Sequence, residues 1–581
     1  MIDRLLFCSV FLCCAAPAWA VLDYTIVVQA PDSVRTLLLD NLEVANWKGN
    51  ALLTPEQLAH SVQTAPAQAR ALLETQGYFN AQVQASLERA EDKPWRVLLN
   101  VVLGEPVHVS TVQIEVDGPI RDDPDYARRL RAITRNWGVP AGAAFTQVQW
   151  RESKNKALLG LSLRRYPAAR LVDSTAQVDP VTQQVALAVR YDSGPAFTLG
   201  PVVVHGLKHY PASIVEHLAP FKPGAEYTQK NLLDLQSSLA STPYFTSSYV
   251  HAVVDPAAPE SVPVQVEVKE APQQKLGFGL GYSTDTGQRA EISHQYYNLL
   301  QRGWILNSGV RIEQLQQSAG VQLTLPASAE GYVVGGFARW EHSDVQNLES
   351  SLYRQGATLT RQRNDILSTQ GLQYVNQRTQ PDGDVATQTQ ALILSTSWTL
   401  RAYDNPTNPR RGYAWRVDLS GAQGRILSDT SFIRAYSKGQ LYVPISSRWG
   451  RFLLRAEGGQ VFAGDGNAVP NDSLFQTGGA TTVRGYAFNS IGVPVGNNAI
   501  EGGRMLGVGS VEYQYPVRPN WYAAVFTDAG DVTNRWQDFK PQMGYGIGAR
   551  WISPVGPLAL DVAYGETVQR WRLHVSFDVN F

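Results

Sequence analysis

Hydrophobic and polar positions follow two rhythms along this chain, and the change falls near residue 274. Upstream, alternating segments (Val97–Val102, Val185–Arg190, Val262–Val268) are interspersed with segments of helical period, which predicts mixed strands and helices. Downstream the helical period fades and alternation with frequent glycine takes over. In Leu276–Tyr282 one face is apolar and the other is glycine, and in Trp415–Ser420 one face is apolar and the other charged or polar. Near the C-terminus Trp571, Leu573, Val575, Phe577, Val579 and Phe581 are apolar, whereas Arg572, His574, Ser576, Asp578 and Asn580 are polar. A soluble sandwich would also alternate, but bulky apolar residues opposite charges suit lipid on one side and a wet lumen on the other.

The upstream part reads as three copies of one small unit. Gly142–Gln147 is echoed by Gly224–Gln229 at an offset of 82 residues, a period that implies repeated domains and not a solenoid. Each copy is expected to open a helix at a threonine cap. Thr54 precedes Pro55 at the first helical position and Gln57 at the capping-box position, and Thr146 and Thr228 recur in the same context. A second helix is then expected, ending in the related turns Gly77–Phe79, Arg165–Pro167 and Pro243–Phe245. The order per copy is β-α-α-β-β, with breaks at Gly104–Pro106, Ser193–Pro195 and Glu270–Pro272. The expected domains are therefore residues 21–104, 105–193 and 194–271, followed by a β-barrel over 272–581. Sixteen antiparallel strands would give the barrel about 19 residues per strand and connection, with 14 or 18 fitting almost as well.

Residues 1–20 read as a secretory signal: Arg4 supplies the charge, Leu5–Ala16 the apolar stretch and Ala18-Trp19-Ala20 the cleavage pattern. All three cysteines (Cys8, Cys13, Cys14) lie inside it, so disulfides, zinc thiolates and a catalytic thiol are not expected downstream. A net charge of -1 without a basic cluster argues against nucleic acid. No G-x-S-x-G, H-E-x-x-H or phosphate-binding loop occurs, so neither enzymatic activity nor a cofactor is expected. His205 and His209 share a spacing of four, but Gly206 and Tyr210-Pro211 predict a turn there and not a metal site.

One cation stands out among the downstream strands. Arg484, within Gly478–Tyr486, needs acidic partners or water in such surroundings. Parity offers two candidates. Val511, Tyr513 and Tyr515 are apolar, which turns Ser510, Glu512 and Gln514 to the lumen, and Trp521, Ala523 and Val525 likewise turn Asp528 inward. In Met543–Trp551, glycines 544, 546 and 548 and Arg550 face inward, leaving room for an object inside the barrel. The alternative is that Arg484 is a solvated loop charge and the acids line a wet pore.

Repeated β-α-α-β-β units ahead of a barrel, together with Val483-Arg484-Gly485-Tyr486, Phe526–Gly530, Asp404–Tyr413, Gly556–Asp561 and a terminal Phe581, resemble the Omp85 outer-membrane assembly family. The upstream units are similar to its periplasmic POTRA domains, and three of them with one barrel are most similar to its TamA branch. That resemblance implies an outer-membrane component of a translocation and assembly module, acting on unfolded outer-membrane protein clients of the autotransporter kind. It implies outer-membrane lipid and a TamB-like, inner-membrane-anchored, periplasm-spanning protein as partners. It also implies that an extracellular loop folds into the lumen with Val483, Arg484, Gly485 and Tyr486 at its tip, Arg484 pairing with Asp528 and Glu512 as a latch. Phe577 and Phe581 would belong to the barrel insertion signal.

Gly277, Gly279 and Gly281 weaken the first barrel strand, so its seam with the last strand could open sideways, or the glycines could merely line the lumen beside the loop. The chain departs from the family in lacking a kinking glycine between Trp571 and Phe581. Alternative functions are a two-partner secretion transporter of the same superfamily and a porin-like channel with accessory domains.

Overall fold

A computed structural model describes residues 22–89, 94–464, 469–553 and 556–580. The expected signal at 1–20 and Phe581 lie outside the described residues. No described helix is long and apolar enough to cross a membrane.

The upstream region contains three small sheets, each covered by helices. The first comprises β1 (Tyr24–Gln29), β2 (Gln82–Glu88) and β3 (Trp95–Val102) in the order β1-β3-β2, with α1 (Asp32–Asn41), α2 (Glu43–Asn46) and α3 (Pro55–Glu74). Strand β1 runs parallel to β3 and β2 antiparallel to it. Tyr24, Leu38, Leu58, Leu73, Val97 and Leu99 fill the space between sheet and helices. The second unit repeats this order with β4 (His108–Asp117), α4 (Tyr126–Arg135), α5 (Gln147–Ser162), β5 (Arg170–Asp179) and β6 (Gln184–Asp192). The third sheet, in the order β7-β9-β8, comprises β7 (Leu199–His205), β8 (Phe245–Ala252) and β9 (Val262–Glu270), with α6 (Ser213–His217) and α7 (Gln229–Ala240) between β7 and β8 in sequence. The chain divides into two compact units, and the division passes through this third sheet.

The threonine caps form, but on a different helix from the one expected. Thr54 accepts from the Gln57 N–H in a complete capping box, and the hydroxyls of Thr146 and Thr228 accept from the N–H groups of Gln149 and Asn231. From Thr54 the helix runs unbroken for 20 residues to the Gly77 turn, with Pro66 inside it. The remaining helices lie upstream of the caps. Apolar positions on both sides of Pro66 (Leu58, Val62, Ala65, Ala69 and Leu73) share one buried face, and this burial outweighs the local interruption by proline. His205 and His209 take separate partners, Gln265 and Glu270, each at 2.7 Å.

Downstream, 16 strands close into an antiparallel barrel. They are β10 (Gln274–Ser283), β11 (Gly287–Leu299), β12 (Trp304–Glu313), β13 (Gln316–Thr324), β14 (Tyr332–Val345), β15 (Leu348–Arg363), β16 (Ile366–Pro381) and β17 (Thr387–Tyr403). Next come β18 (Gly412–Ala422), β19 (Phe432–Ser446) and β20 (Gly450–Ala463), followed by a long connection that carries the hairpin β21 (Val493–Val495) and β22 (Ala499–Glu501). The ring resumes with β23 (Met505–Arg518), β24 (Trp521–Thr533), β25 (Gln542–Ser553), β26 (Gly556–Gly565) and β27 (Arg570–Asn580). Strands β15, β16 and β17 have 16, 16 and 17 residues. That is longer than the roughly 9 to 11 that cross a bilayer, so these strands extend beyond the hydrocarbon layer. Leu276, Phe278, Trp415, Ile433, Val525, Ile547 and Leu573 are exposed on the outer wall, as a lipid-facing surface requires.

Candidate functional site

Strands β23 and β24 carry the acids, and their alternation fixes where these point. Ser510, Glu512 and Gln514 are buried between exposed Val511 and Tyr515, and Phe526 and Asp528 are buried on the strand that exposes Val525. The register sets Ser510 opposite Asp528 and Glu512 opposite Phe526, which gathers both carboxylates on one patch of the inner wall.

The connection between β20 and β23 folds onto that patch. Arg484 is 1% exposed, and its guanidinium forks between the two acids: Nε donates to Asp528 Oδ2 at 2.7 Å, Nη2 to Asp528 Oδ1 at 2.8 Å and Nη1 to Glu512 Oε2 at 2.6 Å. Its own backbone N–H donates to Asp528 Oδ2 at 3.1 Å. The cation lies 3.3 Å above the centroid of the Phe526 ring, a cation–π contact as well as an ion pair. Bidentate, charge-assisted geometry of this kind is a property of arginine that lysine does not share.

The cluster is larger than two acids and one arginine. Arg550 on β25 donates to Glu512 at 2.8 and 3.0 Å and to Asp561 on β26 at 2.5 Å, and Asp561 lies 3.5 Å from Arg484. Arg455 on β20 lies 3.9 Å from Asp528 and 4.0 Å from Glu512. Three guanidinium groups thus face three carboxylates, so the buried patch is neutral in sum, as burial of charge demands. Ser510 Oγ also donates to Asp528 at 2.6 Å, and Gln514 Nε2 to Glu512 at 2.7 Å.

The neighbours of Arg484 are held separately. Val483 and Tyr486 are buried with Ile491 in a small apolar cluster. Tyr486 Oη donates to the Met543 carbonyl at 3.0 Å and accepts from the Thr567 N–H at 3.1 Å. Gly485 has φ +95°, a left-handed conformation, and a Cβ there would press on Tyr564 and Gly565. Glycine 544 is required by close approach: a Cβ would collide with the Arg484 carbonyl oxygen. The other two inward glycines of β25 serve neighbours in the wall. Gly546 faces the Phe526 ring and Gly548 faces Asp561 and Arg550, so only part of the expected glycine-lined space receives the loop.

At the seam, Gly279 is buried and Gly277 and Gly281 are half-buried, while Leu276, Phe278, Leu280 and Tyr282 are exposed. Along one edge β10 pairs with β11 over its whole length, from Gln274 to Ser283. Along the other, among the described residues, it pairs with β27 only from Gly279 (opposite Asn580) to Ser283 (opposite Ser576), with Tyr282 opposite Phe577.

Residues 268–578 match the Omp85 superfamily domain, more than half of the chain. The chain belongs to the Omp85 superfamily. Its fold is similar to that of BamA from Haemophilus ducreyi lacking POTRA domains 1-3, with a TM-score of 0.70 at 18% identity, over 82% of this chain and 100% of that one. CdiB from Acinetobacter baumannii superposes with a TM-score of 0.48 at 15% identity, over 83% and 91% of the two chains. Among curated relatives, the chloroplastic outer envelope protein 80 of Arabidopsis thaliana is 34% identical over 127 residues, which is 20% of this chain and 16% of that protein. This Omp85 chain is an outer-membrane protein with three small α/β units ahead of a 16-stranded barrel.

Parity turned Glu512 and Asp528 inward, and the family resemblance paired them with Arg484. Arg455 and Asp561 were not singled out, although the same alternation along β20 and β26 turns each of them inward.

Proposed function

We propose that this chain is the TamA-like subunit of a translocation and assembly module, promoting insertion or secretion of outer-membrane proteins without enzymatic chemistry. One observation carries the reading: the barrel is occupied by its own loop, fastened through a neutral buried ion cluster at Arg484. A wall built for steady diffusion would leave its lumen clear. Three α/β units upstream supply exposed strand edges on which a periplasmic partner can add a strand, and a TamB-like, periplasm-spanning protein suits that mode. Asp528, Glu512 and Arg484 act as a latch that keeps the loop docked, with Val483, Gly485 and Tyr486 shaping its tip. The pairing of β10 with β27, on a strand bearing Gly277, Gly279 and Gly281, provides the seam at which an incoming client strand is templated. Phe577 and Phe581 belong to the signal for barrel insertion. With no nucleotide motif in the chain, folding and strand exchange supply the driving force.

The test is reconstitution of the full chain in liposomes with an unfolded outer-membrane client and no nucleotide. Faster client insertion with a small or intermittent ion current is expected. A large steady current without any effect on insertion would make the chain a porin.

A further inference from the structure

The turn between β10 and β11 and the last strand β27 lie on opposite banks of the seam, and the lumenal loop touches both. On the first bank, Asp285 Oδ2 accepts the Ala480 N–H at 3.0 Å. On the second, His574 Nε2 accepts the Gly485 N–H at 3.0 Å. A backbone N–H can only donate, so Nε2 is the unprotonated nitrogen and the proton sits on Nδ1. That Nδ1 points towards Asp285 Oδ1, 3.7 Å away across the seam, and has no hydrogen-bond partner of its own. His574 is 4% exposed and Asp285 12%, so neither is a casual surface contact. Beside them the banks meet through Thr284, whose N–H donates to the Val575 carbonyl at 3.0 Å and whose hydroxyl accepts from the Val575 N–H at 3.1 Å.

We infer that Asp285 and His574 are positioning residues that tie the Ala480–Gly485 segment to both banks, so that the docked loop staples the seam shut and the seam opens only when the loop lets go. The chemistry is specific. Each side chain is an acceptor aimed at a loop N–H, so removing His574 leaves a buried donor unpaired and removing Asp285 a half-buried one, and an unpaired buried donor costs more than a bond was worth. The two loop donors are five residues apart in sequence, too close for one bank to swing away while both bonds persist. Latch and seam are then one mechanical unit, joined where the acid cluster does not reach. The inference rests on the reading that the seam opens during function.

Amide hydrogen exchange of the full-length protein in lipid nanodiscs tests it, comparing Asp285→Ala and His574→Ala with the conservative Asp285→Asn and His574→Gln, which keep an acceptor at each position. Heat-modifiable migration confirms that each variant holds a folded barrel. Exchange at Gly279–Thr284 and Val575 should rise by about tenfold or more in the alanine variants and stay within about twofold in the conservative ones. Unchanged exchange at the seam in both alanine variants would overturn the staple, whatever client assembly does. Raised seam exchange in every alanine variant, with client assembly unaffected by a locked or an unlocked seam, would instead overturn the seam reading and leave the staple standing.

Discussion

Arg484→Ala is the perturbation whose cost is clearest from the geometry. It deletes three charge-assisted bonds of 2.6 to 2.8 Å. The two acids do not suffer equally. Glu512 keeps Arg550 at 2.8 Å and Gln514 at 2.7 Å. Asp528, 0% exposed, keeps only uncharged donors nearby, Ser510 Oγ at 2.6 Å and the backbone N–H of residue 484 at 3.1 Å, and its nearest remaining cation is Arg455 at 3.9 Å. Breaking a buried pair by removing one partner costs about 3–5 kcal/mol. Because the loop can leave and admit water, the lower end applies, and about 3 kcal/mol corresponds to a shift of roughly 150-fold from docked towards undocked loop. Amide exchange over Gly478–Tyr486 reads that shift directly. We expect it to accelerate by about two orders of magnitude while strands β15–β17 keep wild-type protection and the barrel remains heat-modifiable. Adding Asp528→Asn should recover part of the loss, since the orphaned charge is removed. Wild-type protection of the loop in Arg484→Ala, or a further loss on adding Asp528→Asn, would contradict a loop held by the Arg484 ion pairs.

Gly544→Ala should displace the loop without touching any charge, because the new methyl meets the Arg484 carbonyl; a crosslink between loop and wall that forms readily in wild type and poorly in the variant is the expected result. Acidification should loosen the third α/β unit. Burial opposes ionisation of Glu270, but the N–H groups of His209, Lys208 and Tyr210 and the His209 ring outweigh it and hold the carboxyl at about 2. A depressed pKa stabilises the fold above the unfolded value of about 4.5, so this contribution is lost as pH falls from there towards 2. Thermal unfolding followed from about pH 6 down to about pH 2 should show that loss, and Glu270→Gln should flatten it.

Alternation made the barrel legible: it placed Glu512, Asp528 and Arg550 on the inner wall before any contact was known. What it could not show is which inward charges meet, because that depends on the stagger between strands distant in sequence. Arg550 reaches Glu512 from 38 positions away, and Gly485 reaches His574 from 89. The threonine caps were readable because their chemistry is local. Helix order was not: the helix that opens at Thr54 runs on through Pro66 because Leu58 and Leu73 are buried on one tertiary face, which local pattern does not display. The two inward glycines that serve Phe526 and Asp561 show the same limit: sequence indicates space, and packing decides what fills it.

Assembly depends on opening of the seam, and the seam can be locked. Ser283 lies opposite Ser576 in the β10–β27 register, and the chain's only cysteines are at positions 8, 13 and 14, so Ser283→Cys with Ser576→Cys introduces a cross-seam disulfide. Client assembly by this variant should fail when oxidised and return on reduction. Full activity with the disulfide intact would contradict a seam that opens.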